Sequence, residues 1–222
     1  LLLTGKDRLN QSEKITVELG KQTLPVSTTA NPLGYLKYTY TASEIQPDML
    51  NADITQTTDS PSWGGLYLQY FEKFDQVQQQ KGILSVTKKL FIEKIGSDGK
   101  QELLPLGKEK LKTGDKVITR LTLSLKQDMD FLYLKDFRAA CFEPIGQLSG
   151  NQWKFGTVYY EESKDAVTNF FFNSLAKGTY VLEYPVWVNQ AGTYQDGIAT
   201  FQSMYAPEYT AYSEAGKITV TK

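Results

Sequence analysis

The sequence predicts an all-β protein: an antiparallel β-sandwich preceded by a smaller β-domain or half-domain. Three observations carry this. Short segments alternate apolar with polar residues and are rich in β-branched and aromatic side chains. Gly, Asn, Asp and Pro punctuate them at short, regular spacing, as in sandwiches and barrels. No amphipathic helix of normal length is legible, apart from a truncated start and a turn near residues 72–80.

Taken in order, residues 1–8 open on three leucines and then Gly5, with no basic segment before them. They read as the last turn of a helix stopped by Gly5, the remnant of a preceding helix in a longer protein. Residues 9–80 form the smaller β-segment. Ile15, Val17 and Leu19 alternate in KITVEL, and GYLKYTYT, ADITQTT and WGGLYLQYF repeat the rhythm. Gly64 and Gly65 suggest a bulge or a close backbone approach. The polar stretch 72–82 carries no β pattern and marks the boundary.

Residues 81–222 form the sandwich. ILSVTKKLFIEK leads into a hairpin turn at Asp98-Gly99. LKTGDKVITRLTLSL supplies a further turn and a strand with Val117, Thr119, Leu121, Leu123 and Leu125 on one face. MDFLYLKDF, GNQWKFGTVYYEES, TNFFFNSL, GTYVLEYPVWVN, GIATFQSMYAPEY and GKITVTK follow. In YVLEYPVWV the core face is Tyr180, Leu182, Tyr184, Val186 and Val188. Pro185 cannot donate to a ladder, which places that strand at an edge or a bulge.

Composition narrows the chemistry. Histidine is absent from the 222 residues, which removes the usual general base, the Ser–His and Cys–His pairs and the commonest zinc ligand. A net charge of −1 gives no electrostatic drive toward nucleic acid. No apolar run is long enough to span a bilayer. The single Cys141 has no partner for an internal disulfide.

Each remaining candidate has a plain structural reading. Cys141 lacks a base and reads as a buried small hydrophobe, with Arg138 the nearest cation in sequence. Asp128 and Asp130 share a strand face but lack the spacing of a calcium loop. Glu161 and Glu162 are strand neighbours that point to opposite faces, so they cannot flank one glycosidic bond, and Glu143 or Asp136 would have to complete such a pair. Trp63, Trp153 and Trp187 with the 14 tyrosines could form a sugar platform or simply fill a core. No catalytic, cofactor or metal residue is assigned and no cofactor is expected. MYAPEYTAY, with Tyr205, Tyr209 and Tyr212, is the best candidate for a docking surface.

Seven short motifs then combine: GDKV at 114–117, DMDF at 128–131, LKDFRA at 134–139, FEP at 142–144, DAVTNFF at 165–171, KGTY at 177–180 and ATFQSMYAPE at 199–208. Together they resemble the C-terminal macroglobulin-like domain of bacterial alpha-2-macroglobulins over about residues 83–222. The preceding stretch around PSWGGLYLQYFEKFDQV is similar to the CUB-like strands that follow the thioester domain in that family. Residues 9–80 would then be either a complete small sheet or half of a split one.

The resemblance implies a non-catalytic module of a broad-spectrum protease trap in the cell envelope. Its partners would be the helical thioester-type domain of the parent chain and, through the whole protein, target proteases. Neither nucleic acid nor membrane insertion of this segment is expected. Cys141-Phe142-Glu143-Pro144 lacks the glutamine of the family's Cys-x-Glu-Gln thioester, so Cys141 is not that cysteine. By the same analogy the aromatic surface with Tyr205 and Tyr209 faces the thioester domain. The alternative function is a carbohydrate-binding β-sandwich; a hydrolase that works without histidine comes third.

Overall fold

The computed structural model describes residues 15–25, 37–57, 64–107, 110–146, 148–154 and 156–222. The expected helix remnant at 1–8, Trp63 and the first residues of GYLKYTYT lie outside these. The chain divides into two units, Leu1–Gln69 and Tyr70–Lys222.

In the first unit, β1 (Ile15–Leu19) pairs antiparallel with β2 (Gln22–Thr23) and β3 (Ala52–Gln56), in the order β2-β1-β3. Gly20, with φ +58, turns β1 into β2; a Cβ there would sit 2.8 Å from the Asp48 backbone. All five residues of β3 are exposed, so this sheet has little core of its own. Residues 37–41 and 64–71 read as strands in sequence but run without a ladder. Their alternation is intact, yet a strand exists only where another backbone takes up its N–H and C=O groups.

The second unit is the sandwich. Its strands are β4 (Leu84–Ile95), β5 (Gln101–Pro105), β6 (Leu111–Lys112), β7 (Lys116–Leu125), β8 (Met129–Phe137), β9 (Phe142–Pro144) and β10 (Gly150–Lys154). They continue with β11 (Thr157–Ser163), β12 (Val167–Leu175), β13 (Gly178–Val188), β14 (Gly192–Asp196), β15 (Ala199–Ser203), β16 (Thr210–Tyr212) and β17 (Gly216–Thr221). One sheet runs β10-β11-β12-β8-β15-β16, the other β5-β4-β7-β13-β9. A third, β14-β17-β6, contains the parallel pair β17–β6.

Alternation builds the core. Val117, Thr119, Leu121, Leu123 and Leu125 of β7 are all buried, as are Leu182, Tyr184, Val186 and Val188 of β13. Across from them stand Leu132, Leu134, Phe170, Phe172 and Phe201 of the six-stranded sheet, in one continuous cluster. The Asp98-Gly99 turn closes β4 onto β5, with Gly99 at φ +78. Pro185 lies opposite Ile118 of β7, while β9 covers only residues 186–188 on the other flank. Among the described residues, β13 is therefore an edge from Gly178 to Pro185, where a missing N–H costs no ladder bond. Residues 72–82 carry no strand but are held to the sandwich by the Ala215 N–H to Val77 carbonyl bond and a bridge between Gln80 and Tyr212.

Candidate functional site

Strand β8 presents its side chains in two sets. Leu132, Leu134 and Asp136 point into the core, whereas Phe131, Tyr133, Lys135 and Phe137 point outward; Met129, on the far side of Phe131, packs against the core again. At the outward, N-terminal end the backbone departs from β geometry. Phe131 has φ +52, alone among described non-glycine residues with positive φ. Left-handed backbone at a bulky residue is costly and collects at functional positions. The ladder to β12 passes from Leu132↔Phe172 to Asp130↔Ser174 with no pair at Phe131.

The freed Phe131 carbonyl accepts the Met204 N–H at 2.9 Å, which draws residues 203–209 alongside. That segment is a tight turn: the Tyr209 N–H donates to the Ala206 carbonyl, and the Ser203 hydroxyl accepts the Ala206 N–H. Phe131 and Tyr205 meet edge to face, with centroids 5.2 Å apart. Both rings remain in solvent, Tyr205 at 77% and Phe131 at 48% of their full exposure, with Met204 at 49%. An exposed aromatic pair flanked by a methionine, held by fixed backbone, has the composition of a protein-binding anchor.

Of the three tyrosines expected on this surface, Tyr205 alone is exposed. Tyr209 leans on the core and Tyr212 is half-buried in β16, so both support the turn. Phe131 is not legible in the sequence, because no residue type in DMDF encodes a positive φ.

The inward end of β8 carries charge. Asp136 is fully buried; its Oδ2 accepts the Tyr184 hydroxyl, and its Oδ1 faces Lys88 Nζ at 2.9 Å. Lys88 Nζ also lies 2.9 Å from Asp196 Oδ1 and donates to the carbonyls of Phe137 and Gly197. Burial opposes the Lys88 charge, but the two carboxylates outweigh it and hold its pKa above the usual value. Burial pushes the Asp196 carboxyl up, against the pull of Lys88. Arg138, next to Asp136 but one, is held by the Thr168 hydroxyl and the Lys164 and Asp165 carbonyls. Sequence did offer a signal for this cluster: an aspartate on the face that carries Leu132 and Leu134.

The other candidates find ordinary partners. Cys141 is fully buried, and burial pushes its thiol up to about 11, the opposite of a reactive cysteine. Asp128 caps the turn into β13 by accepting the Lys177 N–H at 2.7 Å. Glu162 accepts the Asn169 amide and pairs with Lys164, which lowers its pKa; burial raises that of Glu161. Trp153 stands on β10 and Trp187 on β13, in different sheets, and so form no common platform. Tyr133 and Phe171 stack on each other at 4.9 Å, which covers one face of each ring. Among the described residues no group of three or more Cys, Asp or Glu side chains is gathered for a metal.

Comparison with known proteins gives a consistent result. Residues 84–208 match the family model of the bacterial alpha-2-macroglobulin MG10 domain. Trypsin-activated alpha-2-macroglobulin from Escherichia coli is similar in structure, with a TM-score of 0.50 and 17% identity over 66% of this chain and 11% of that one. Salmonella alpha-2-macroglobulin reacted with methylamine is also similar, with a TM-score of 0.50 and 16% identity over 94% of this chain and 13% of that one. The chain thus spans about an eighth of the length of these proteins. No curated protein sequence matches it.

Proposed function

Because the chain belongs to the bacterial alpha-2-macroglobulin MG10 domain family, we propose that it is a non-catalytic docking module of a broad-spectrum protease trap. In this reading the module packs against the thioester-type helical domain of the same parent protein and helps hold its resting form. The parent works in the cell envelope, where it meets its target proteases.

The observation that carries the proposal is the Phe131–Tyr205 pair: two large rings left in solvent on backbone that is strained at Phe131 and tied at Met204. Strained backbone gathers at functional positions, and large exposed rings are the residues that anchor interfaces. Relatives of known structure have been crystallised trypsin-activated and after reaction with methylamine, so a protease and a small amine each act on those proteins. No helix among the described residues is long and apolar enough to cross a membrane.

The test is made in the full-length parent protein. Replacing Phe131 and Tyr205 together by alanine should release the resting form and speed its reaction with methylamine or its conversion by trypsin by roughly tenfold or more, the scale of losing one interface anchor. Rates equal to those of the unaltered protein would sink the proposal.

A further inference from the structure

The buried cluster at the inward end of β8 has a geometry that salt bridges alone do not require. Three groups meet in a closed core. The side chains of Lys88 and Asp136 are 3% and 0% exposed, and that of Asp196 is 12% exposed. Lys88 Nζ stands 2.9 Å from one oxygen of each carboxylate. Asp136 is oriented by the Tyr184 hydroxyl on its Oδ2, and its Oδ1 has no hydrogen-bond donor in good alignment, only Lys88 Nζ beside it. Gly197 seals the site from the other side: a Cβ there would fall 2.3 Å from Phe137. An amine, a carboxyl and a second carboxylate able to pass a proton, all desolvated and held in contact, are the components of an amide-forming reaction.

We propose that Lys88 and Asp196 condense within the folded domain to form an intramolecular isopeptide bond, with Asp136 as its proton-transfer catalyst. The resting groups are ionic. Transfer of one proton from Lys88 to Asp196 gives a neutral amine and a neutral carboxylic acid. Burial favours this pair, whereas the second carboxylate and the two carbonyls around Nζ favour the ammonium, so the neutral pair is the minor, reactive form. Burial already pushes the Asp196 carboxyl toward that neutral form. Lys88 Nζ then attacks Asp196 Cγ, and its surplus proton passes to Asp136 Oδ1. The Cγ–O bond breaks, the hydroxyl takes the proton back from Asp136, and one water leaves. The N–C bond replaces the C–O bond, Asp136 is regenerated as a carboxylate, and the cluster keeps its net charge.

The bond would join β4 in the five-stranded sheet to the end of β14, 108 positions along the chain. It would act like a disulfide in a protein with a single cysteine, limiting how far the unfolded chain can expand. The proposal is independent of the docking role of Phe131 and Tyr205, which lie at the other end of β8.

The ionic and the condensed states differ by one water, and mass spectrometry of the purified full-length protein reads that difference. After proteolysis, the peptides bearing Lys88 and Asp196 are expected as one branched species, lighter than their sum by the mass of water. In Asp136→Asn, which keeps the shape of the side chain but not its proton transfer, nearly all of that species should be replaced by two separate peptides of full mass. Recovery of two full-mass peptides from the folded unaltered protein overturns the bond. A branched species that persists in Asp136→Asn overturns the role of Asp136. Should that variant fail to fold, the mass of the unaltered protein decides by itself.

Discussion

The two ends of strand β8 invert the usual rule of where charge and grease belong. Toward Phe137 the strand buries a carboxylate, with a lysine from β4 and an aspartate from β14 gathered around it. Toward Met129 it exposes a phenylalanine against a second exposed ring. The inward end joins elements of the same domain, so its cost is met by partners within that domain. The outward end pairs its two rings with each other and leaves both in solvent, and that is why it reads as a surface for something else. The difference separates a residue that holds the fold from one that uses it.

The comparison breaks first at Lys88. Its replacement by alanine leaves Asp136 and Asp196 facing each other without a cation, and should cost about 3–5 kcal/mol in a denaturant titration. A loss within experimental error would show that the cluster does not hold the sheets. Gly197→Ala probes the same end by steric means. Its Cβ would meet the Phe137 backbone, a contact with no flexible neighbour to give way, so a loss of about 1–3 kcal/mol is expected.

Cys141 tests the buried side by pH. Its thiol pKa is raised by burial from 9.0 to about 11. Between those values the unfolded chain releases a proton that the folded one retains, so stability falls as pH rises through this window. Cys141→Ala should flatten that part of a melting-temperature profile, and an unchanged slope would refute the assignment. The outward end should respond least. Tyr205→Ala in this domain alone is expected to change stability by less than about 0.5 kcal/mol, and a larger loss would make the ring structural rather than a docking group.

These two ends also mark what sequence could and could not reveal. Alternation placed Asp136 on the face of Leu132 and Leu134, and it identified the buried row from Val117 to Leu125. Such faces are local properties, fixed by the two-residue period of a strand. The partners of Asp136 are not local: Lys88 lies 48 positions before it and Asp196 60 after it, and only the sheet order brings them together. The same limit explains GLYLQYF, whose alternation is that of a strand although no backbone pairs with it in the described structure. The positive φ of Phe131 is less legible still, since it accompanies a non-local contact, the Met204 N–H on its carbonyl. The segment 204–212 reads as aromatic and exposed, but Tyr209 packs against the core and Tyr212 is half-buried in β16, which leaves Tyr205 as its exposed ring.

The parallel pair of β17 with β6 has a consequence for how the chain is made. Residues 220 and 221 lie against Leu111 and Lys112, and Ile218 and Val220 fill part of the core. On a ribosome, which delivers the chain from its N-terminus, β4 through β15 must wait for these residues to clear the exit tunnel before that end of the sandwich can close. Its longest-range contacts are therefore formed last, and folding should be slow for the size of the domain. During that wait the half-built sheets are open to chaperones and to neighbouring chains alike, and the pairing of β17 with β6 ends that exposure.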